Sequence, residues 1–360
     1  MKTPVLNEVH KRSGAKIAEF AGWMLPIDYG SAIKEINAVR TAVGLFDVSH
    51  MGRLFVKGPG ALEALQKLLT NDLSKLIDGG GQYTLMCNPS GGVIDDLIIF
   101  RRGEDDFYVV VNASNLEKDK EWIIKHLPES VILTDKSPET ALIAVQGPAA
   151  IDLLVKTGLT AASETKRFHM VTGQVAGRDV LATRTGYTGE DGFEIACKNE
   201  DAEAIWTTLI SEGEEFGVAP CGLAARDVLR TEACLPLYGH EIDDTITPVE
   251  AGLMRWVNLD KGEFIGREPI AKMLDEGLKR KLIGILMEGR VPPRAEDKVV
   301  SSAGEGVVTS GTFSPTLGCG IAMAYLPSGV EEGQQVDVII HGKPRPGTLK
   351  NVPLYSRKKK

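Results

Sequence analysis

Two adjacent acids interrupt an apolar run at Val93-Ile94-Asp95-Asp96-Leu97-Ile98-Ile99-Phe100. Side chains alternate between the faces of a strand, so Asp96 shares a face with Ile94, Ile98 and Phe100. Asp95 shares the other face with Val93, Leu97 and Ile99. A carboxylate among apolar neighbours must raise its pKa or find a hydrogen-bond partner, which makes it a candidate for proton chemistry. The alternative is that both acids stay wet at a strand end, beside the Gly91-Gly92 turn. Asn112 ends the neighbouring strand. Pairing Phe100 with Tyr108 sets Asp96 opposite Asn112, whereas pairing Phe100 with Phe107 sets Asp95 there. Either register brings an amide close to a carboxylate.

A second cluster is Gly186-Tyr187-Thr188-Gly189-Glu190-Asp191-Gly192-Phe193-Glu194. Glycines let a planar ligand approach the backbone, Tyr187 offers a flat face with a polar tip, and Glu194 stands on the returning strand. An ordinary glycine-rich hairpin would carry the same pattern. The three glycines are not a dinucleotide fingerprint, because a strand follows where that motif needs a helix. In a third cluster, Arg226 and Arg230 are four residues apart on one helix face and repel each other. Such a pair suits a bound anion, or it is neutralised by local acids such as Asp227 and Glu232.

Period and punctuation give the elements that hold these residues. A helix is expected over Ser31–Thr41 with Ser31 as its N-cap, and a second opens after Gly58-Pro59-Gly60. Residues 82–126 read as strand, turn, strand, turn, strand and helix, an antiparallel sheet with a helix on one face. A strand over 141–146 turns at Gly147-Pro148 into a helix, and a hairpin follows over 180–197. Asp201 is the expected cap of the next helix, and another runs over about 222–233. After about Lys281 short apolar runs alternate with Gly, Pro and Ser turns, the mark of a small all-β module.

Composition narrows the function. The chain has 360 residues, room for two or three domains, and a net charge of −8. That acidity disfavours nucleic acid as a partner. No segment is long and apolar enough for a signal peptide or a membrane span. Five scattered cysteines without a C-x-x-C pair fit a reducing cytoplasm, and six histidines without ligand spacing argue against a metal site. The basic tail Arg357–Lys360 reads as solvated and disordered.

Taken together, these stretches resemble the T-protein of the glycine cleavage system, a tetrahydrofolate-dependent aminomethyltransferase. The resemblance runs nearly end to end. It is carried by Phe20–Pro26, Val39-Arg40, Gly44–Gly52, Gly91–Asp96, Gln146-Gly147-Pro148, Arg184–Gly192, Ala225-Arg226-Asp227, Leu237-Tyr238-Gly239 and Ser314–Gly318. It implies an α+β fold of three domains around a central folate pocket: residues 1–50 with 140–275, residues 51–139, and a β-barrel over 280–360. It implies that Asp96 is the essential acid and that Tyr83, Asn112, Tyr187, Glu194 and Arg226 line the folate pocket. Two stretches depart from the family: Thr231–Pro236, and the tail Asn351–Ser356, so Tyr355 receives no role.

The reaction implied is transfer of the one-carbon unit of an aminomethyl group, carried on the dihydrolipoyl arm of H-protein, to tetrahydrofolate. The products are 5,10-methylenetetrahydrofolate, ammonia and dihydrolipoyl H-protein. The implied partners are lipoylated H-protein and, transiently, other components of the cleavage system. With an acidic partner, docking would need a basic patch, for which Lys279, Arg280, Lys281, Arg290 and Arg294 are candidates. The competing function is a tetrahydrofolate-dependent demethylase of a small O-, N- or S-methyl substrate. A non-catalytic relative of iron–sulfur assembly is disfavoured, because Lys261–Glu268 lacks that branch's cysteine.

Overall fold

The computed structural model describes residues 1–357, so Lys358–Lys360 of the basic tail lie outside the described residues. The chain forms two units. One comprises Met1–Leu65, Leu73–Tyr83 and Leu97–Asp227; the other comprises Gln66–Asp72, Thr84–Asp96 and everything described from Val228 onward. No helix among the described residues is long and apolar enough to cross a membrane.

The core of the first unit lies on a six-stranded sheet. Its order is Met170–Val175, Arg178–Thr183, Gly192–Lys198, Thr140–Gln146, Val43–Asp47 and Val218–Pro220. Only the last pair is parallel. The unbroken apolar run Ala141–Val145 has no alternation because the central strand is buried on both faces. The helices Ala150–Lys156 and Ala202–Glu212 add Leu153, Leu154, Ile205 and Trp206 to the same core. The helix Ala32–Thr41 begins as expected: Ser31 is extended and its hydroxyl accepts from Lys34 N at 3.4 Å. Asp201 differs. It precedes its helix but makes no capping bond, and its carboxylate instead lies 3.4 Å from Arg178 Nη1.

Residues 81–126 follow the expected order: strands Gly81–Cys87, Val93–Gly103 and Asp106–Val111, then the helix Leu116–His126. They belong to a five-stranded sheet completed by Gly52–Lys57 and Ile132–Asp135. The division between the units falls within its first two strands. Of the two registers open to the hairpin, the structure takes Phe100 opposite Tyr108, and the two rings stack with centroids 6.0 Å apart.

In the second unit, six strands close into a barrel: Arg280–Met287, Cys319–Pro327, Gly304–Ser314, Lys298–Ser301, Gln335–Ile340 and Lys343–Lys350, the last pairing back to the first. The all-β module expected after residue 281 is therefore a closed barrel, and the fold is α+β with that barrel at its C-terminal side. A bulge between Val308 and Ser310 interrupts one pairing. There Thr309 Oγ1 donates to Glu241 Oε1 at 2.6 Å. The other oxygen of Glu241 takes Arg230 Nη1 at 2.8 Å and Leu237 N at 3.0 Å, and Arg230 Nη2 donates to Ser310 Oγ.

Candidate active site

The second unit carries the paired acids. Asn88 organises the turn before them: its carbonyl oxygen accepts from Ser90 N and Gly92 N, and its amide donates to Asp244 O at 2.8 Å. Gly92 is required, because a Cβ there would lie 1.8 Å from Asp244 O. Val93 N donates to Asp243 O and Ile246 O, so the strand starts pinned against that loop. Asp95 is then fully buried and Asp96 half-buried. The reading in which both stay wet is overturned for Asp95, which faces the packed side of the sheet. Tyr238 bonds to Asp244, and burial, with Asp244 and Asp95 adding to it, pushes its phenol well up. Asp96 is the acid of the pair that stays partly exposed.

In the first unit the hairpin turn is held from below. Gln146 Nε2 donates to Thr185 O at 3.0 Å, and Thr188 Oγ1 donates to Gln146 Oε1 at 2.8 Å. A Cβ on Gly186 would lie 1.9 Å from that same oxygen. Arg184 grips Asp191 with two bonds, and Arg40 reaches Thr188 O and Glu190. Two consequences follow for the side chains above. Tyr187 is presented half-exposed, and Glu194, on Gly192–Lys198, turns away from the core that Phe193 and Ile195 fill. Glu194 accepts from Thr185 Oγ1 at 2.6 Å.

Arg226 lies over this turn, its Cζ 4.8 Å from the Tyr187 ring centroid. Its Nη1 is buried without a hydrogen-bond partner. Burial lowers the guanidinium pKa, against the opposing pull of Glu194 and Tyr187. Tyr187, Glu194 and Arg226 are thus brought together; in the same unit Tyr83 is half-buried on the strand Gly81–Cys87, and Asn112 is half-buried just after the strand Asp106–Val111. The anion-seeking arginine pair is not a pair. Arg230 pairs with Glu241, eleven residues on, while Arg226 keeps an open donor. Of the basic candidates, Arg280 is engaged by Glu250 at 2.9 Å, and Lys279, Arg290 and Arg294 are exposed.

One residue escaped the sequence analysis. His50 is 3% exposed, its Nδ1 has no partner, and its pKa is pushed down to about 3 by burial and then by the charge of Arg226. The available signal was a histidine three residues after an acid in the apolar run Leu45–Met51. A groove of about 490 Å³ elsewhere in the unit, lined by Arg53, Phe55 and Tyr108 among others, contains none of these residues.

The GCVT N-terminal domain family model matches residues 6–261, and the glycine cleavage T-protein C-terminal barrel domain matches residues 280–356. The chain is 48% identical over 363 residues to an aminomethyltransferase of Geobacillus thermodenitrificans, covering 100% of each chain. It is 45% identical to that of Moorella thermoacetica, covering 100% of this chain and 99% of the relative. The crystal structure of glycine cleavage system aminomethyltransferase T from Bartonella henselae superposes with a TM-score of 0.92 at 36% identity, covering 98% of each chain.

Proposed function

Because the chain belongs to the T-protein family, the aminomethyltransferases of glycine cleavage, we propose that its donor is the aminomethyl group on the dihydrolipoyl arm of H-protein. The one-carbon unit passes to tetrahydrofolate, giving 5,10-methylenetetrahydrofolate, ammonia and dihydrolipoyl H-protein. The observation that carries this reading is the open donor of Arg226 over the Tyr187 ring, beside Glu194. A buried donor without an acceptor costs about 1–3 kcal/mol, and a ligand oxygen supplies the acceptor. A flat ring, a carboxylate and a charged donor fit a planar heterocycle that bears N–H groups and a carbonyl.

Tetrahydrofolate supplies the nucleophilic nitrogen that accepts the one-carbon unit. The protein's residues do the rest. Tyr187 shapes the flat wall, Glu194 accepts from ring N–H groups, and Arg226 donates to an oxygen; Tyr83 and Asn112 are assigned to the same pocket. Asp96 is assigned the proton transfers at the substrate nitrogens and the stabilisation of transient positive charge on the carbon. Carboxylates suit both tasks, and a positioned acid or base contributes roughly 10²–10⁴ in rate. Lys279, Lys281, Arg290 and Arg294 are the candidate docking surface for H-protein. We place the protein in the cytoplasm, consistent with five free cysteines, and retain the three-domain division 1–50 with 140–275, 51–139 and 280–360.

The test is a coupled assay with tetrahydrofolate and aminomethylated H-protein, following ammonia and 5,10-methylenetetrahydrofolate together. Formation of both is expected, with kcat falling about 10²–10⁴-fold in Asp96→Asn while tetrahydrofolate still binds. Folate binding without either product would move the protein to the demethylase function, and small methylated substrates would then be screened.

A further inference from the structure

The strand that carries Glu194 pairs with the strand Arg178–Thr183, setting Thr183 directly opposite Glu194 and Ala182 opposite Ile195. Ala182 and Ile195 fill the core, so Thr183 and Glu194 share the face of the sheet turned away from it. Two residues on, Thr185 is tied through its backbone. Its N–H donates to Thr183 O at 2.9 Å, and its carbonyl oxygen accepts from Gln146 Nε2 at 3.0 Å. The Thr185 hydroxyl is thereby brought to 2.6 Å from Glu194 Oε2 and 2.9 Å from Thr183 Oγ1. All three side chains are buried.

The number of protons fixes the direction of these bonds. A carboxylate only accepts, and a hydroxyl has one proton to give. The proton of Thr185 therefore points at Glu194, and the contact with Thr183 is made by Thr183 donating to Thr185. These bonds form a one-way chain, Thr183 to Thr185 to Glu194, and its last link has the length of a charge-assisted O–H···O⁻ bond. Both donors are β-branched side chains whose χ1 is restricted, so the chain ends at a defined point. Among the described residues no other group donates to the carboxylate, and its Oε1, which accepts from none, is not closed off from solvent. One oxygen is anchored and the other stays available. A glutamate already held by one oxygen avoids part of the rotamer freedom that a loose side chain loses on binding.

We propose that Thr185, with Thr183 behind it, is a positioning residue for the co-substrate: its hydroxyl holds the Glu194 carboxylate in the orientation that binds. This rests on the reading of Glu194 as a folate contact and adds to it the hydroxyl chain that aims it. The experiment measures equilibrium binding of tetrahydrofolate, per folded molecule, to the wild type, Thr185→Val, Thr185→Ser, Glu194→Ala and the double variant Thr185→Val/Glu194→Ala. Thr185→Val keeps the shape and removes the donor. Affinity is then expected to fall about 3–10-fold, the scale of one side chain that must be immobilised on binding. Thr185→Ser, which restores the hydroxyl, is expected to stay within about 2-fold of the wild type. In the Glu194→Ala background the same Thr185→Val change is expected to alter affinity by less than about 2-fold, because no carboxylate remains to be aimed. An equal loss in both backgrounds would mean that Thr185 acts through the hairpin as a whole and would overturn the proposal. Wild-type affinity in Thr185→Val would do the same. If Glu194→Ala binds as tightly as the wild type, the reading of Glu194 as a folate contact fails and takes the proposal with it, an outcome distinct from the other two. Should Thr185→Val not fold, Thr185→Ala removes the same donor and gives the same comparison.

Discussion

Arg226 and Arg230 stand one turn apart on the helix Leu223–Glu232, yet their environments differ in kind. Arg230, 2% exposed, meets the Glu241 carboxylate and the Ser310 hydroxyl, while Thr309 and Leu237 N fill the remaining capacity of Glu241. Arg226 has an aromatic face on one side and a buried Nη1 with no acceptor. The first is a closed polar cluster whose bonds are all internal. The second is an open one, and under the proposed function its missing partner is the folate co-substrate. The desolvation that folding imposes is offset at Arg230 by direct ionic and hydrogen bonds, and at Arg226 only in part, by the Tyr187 ring and the pull of Glu194.

If that contrast is right, truncating each arginine should give opposite phenotypes. Arg230→Met leaves Glu241 buried and unpaired, so unfolding free energy should drop by about 3–5 kcal/mol in a denaturant titration, with folate affinity per folded molecule nearly unchanged. Arg226→Met should do the reverse. Folate affinity falls about 10–100-fold, the scale of a charged hydrogen bond, while stability shifts by less than about 1 kcal/mol. A large stability loss there would mean that the guanidinium is a structural group after all. Thr309→Val sharpens the closed case, since it deprives Glu241 of one donor and should cost about 1–2 kcal/mol without touching binding.

Asp47 gives the smallest effect and a test by pH. Burial raises its pKa, but donors from His10 and Ser49 outweigh that, so the folded value lies below 3.8. A depressed carboxyl stabilises the fold above the unfolded pKa and loses that contribution as pH falls through the folded value. Stability of the wild type should therefore decline below about pH 4, and the part due to this group should be missing in Asp47→Asn. Identical acid slopes in the two proteins would show that those donors do not hold the carboxyl down.

Much of this was legible in the sequence because the signals were local. The helix cap at Ser31, the turn at Gly91-Gly92 and the alternation around Asp96 are each written within a few residues. The partner of Arg230 was not, because Asp227 and Glu232 are nearer in sequence while Glu241 reaches it only once the chain doubles back past Leu237. The strand Lys343–Lys350 carries Pro344 and Pro346 and lacked an apolar run, so nothing local marked it as a strand. His50 was passed over because a single histidine has no spacing to read. Its burial with an unpartnered Nδ1 is a property that only the folded chain reveals.

The barrel has an implication for biogenesis. Its first strand, Arg280–Met287, is bonded on one side to Cys319–Pro327 and on the other to Lys343–Lys350. During synthesis the first of those edges can be covered while the second still waits for residues not yet made. Until residue 350 has emerged, the nascent domain carries two open strand edges, each able to pair with a neighbouring chain. The strand Lys343–Lys350 is therefore the one that removes the hazard of intermolecular pairing, and a chain broken off before it would be sticky as well as shorter.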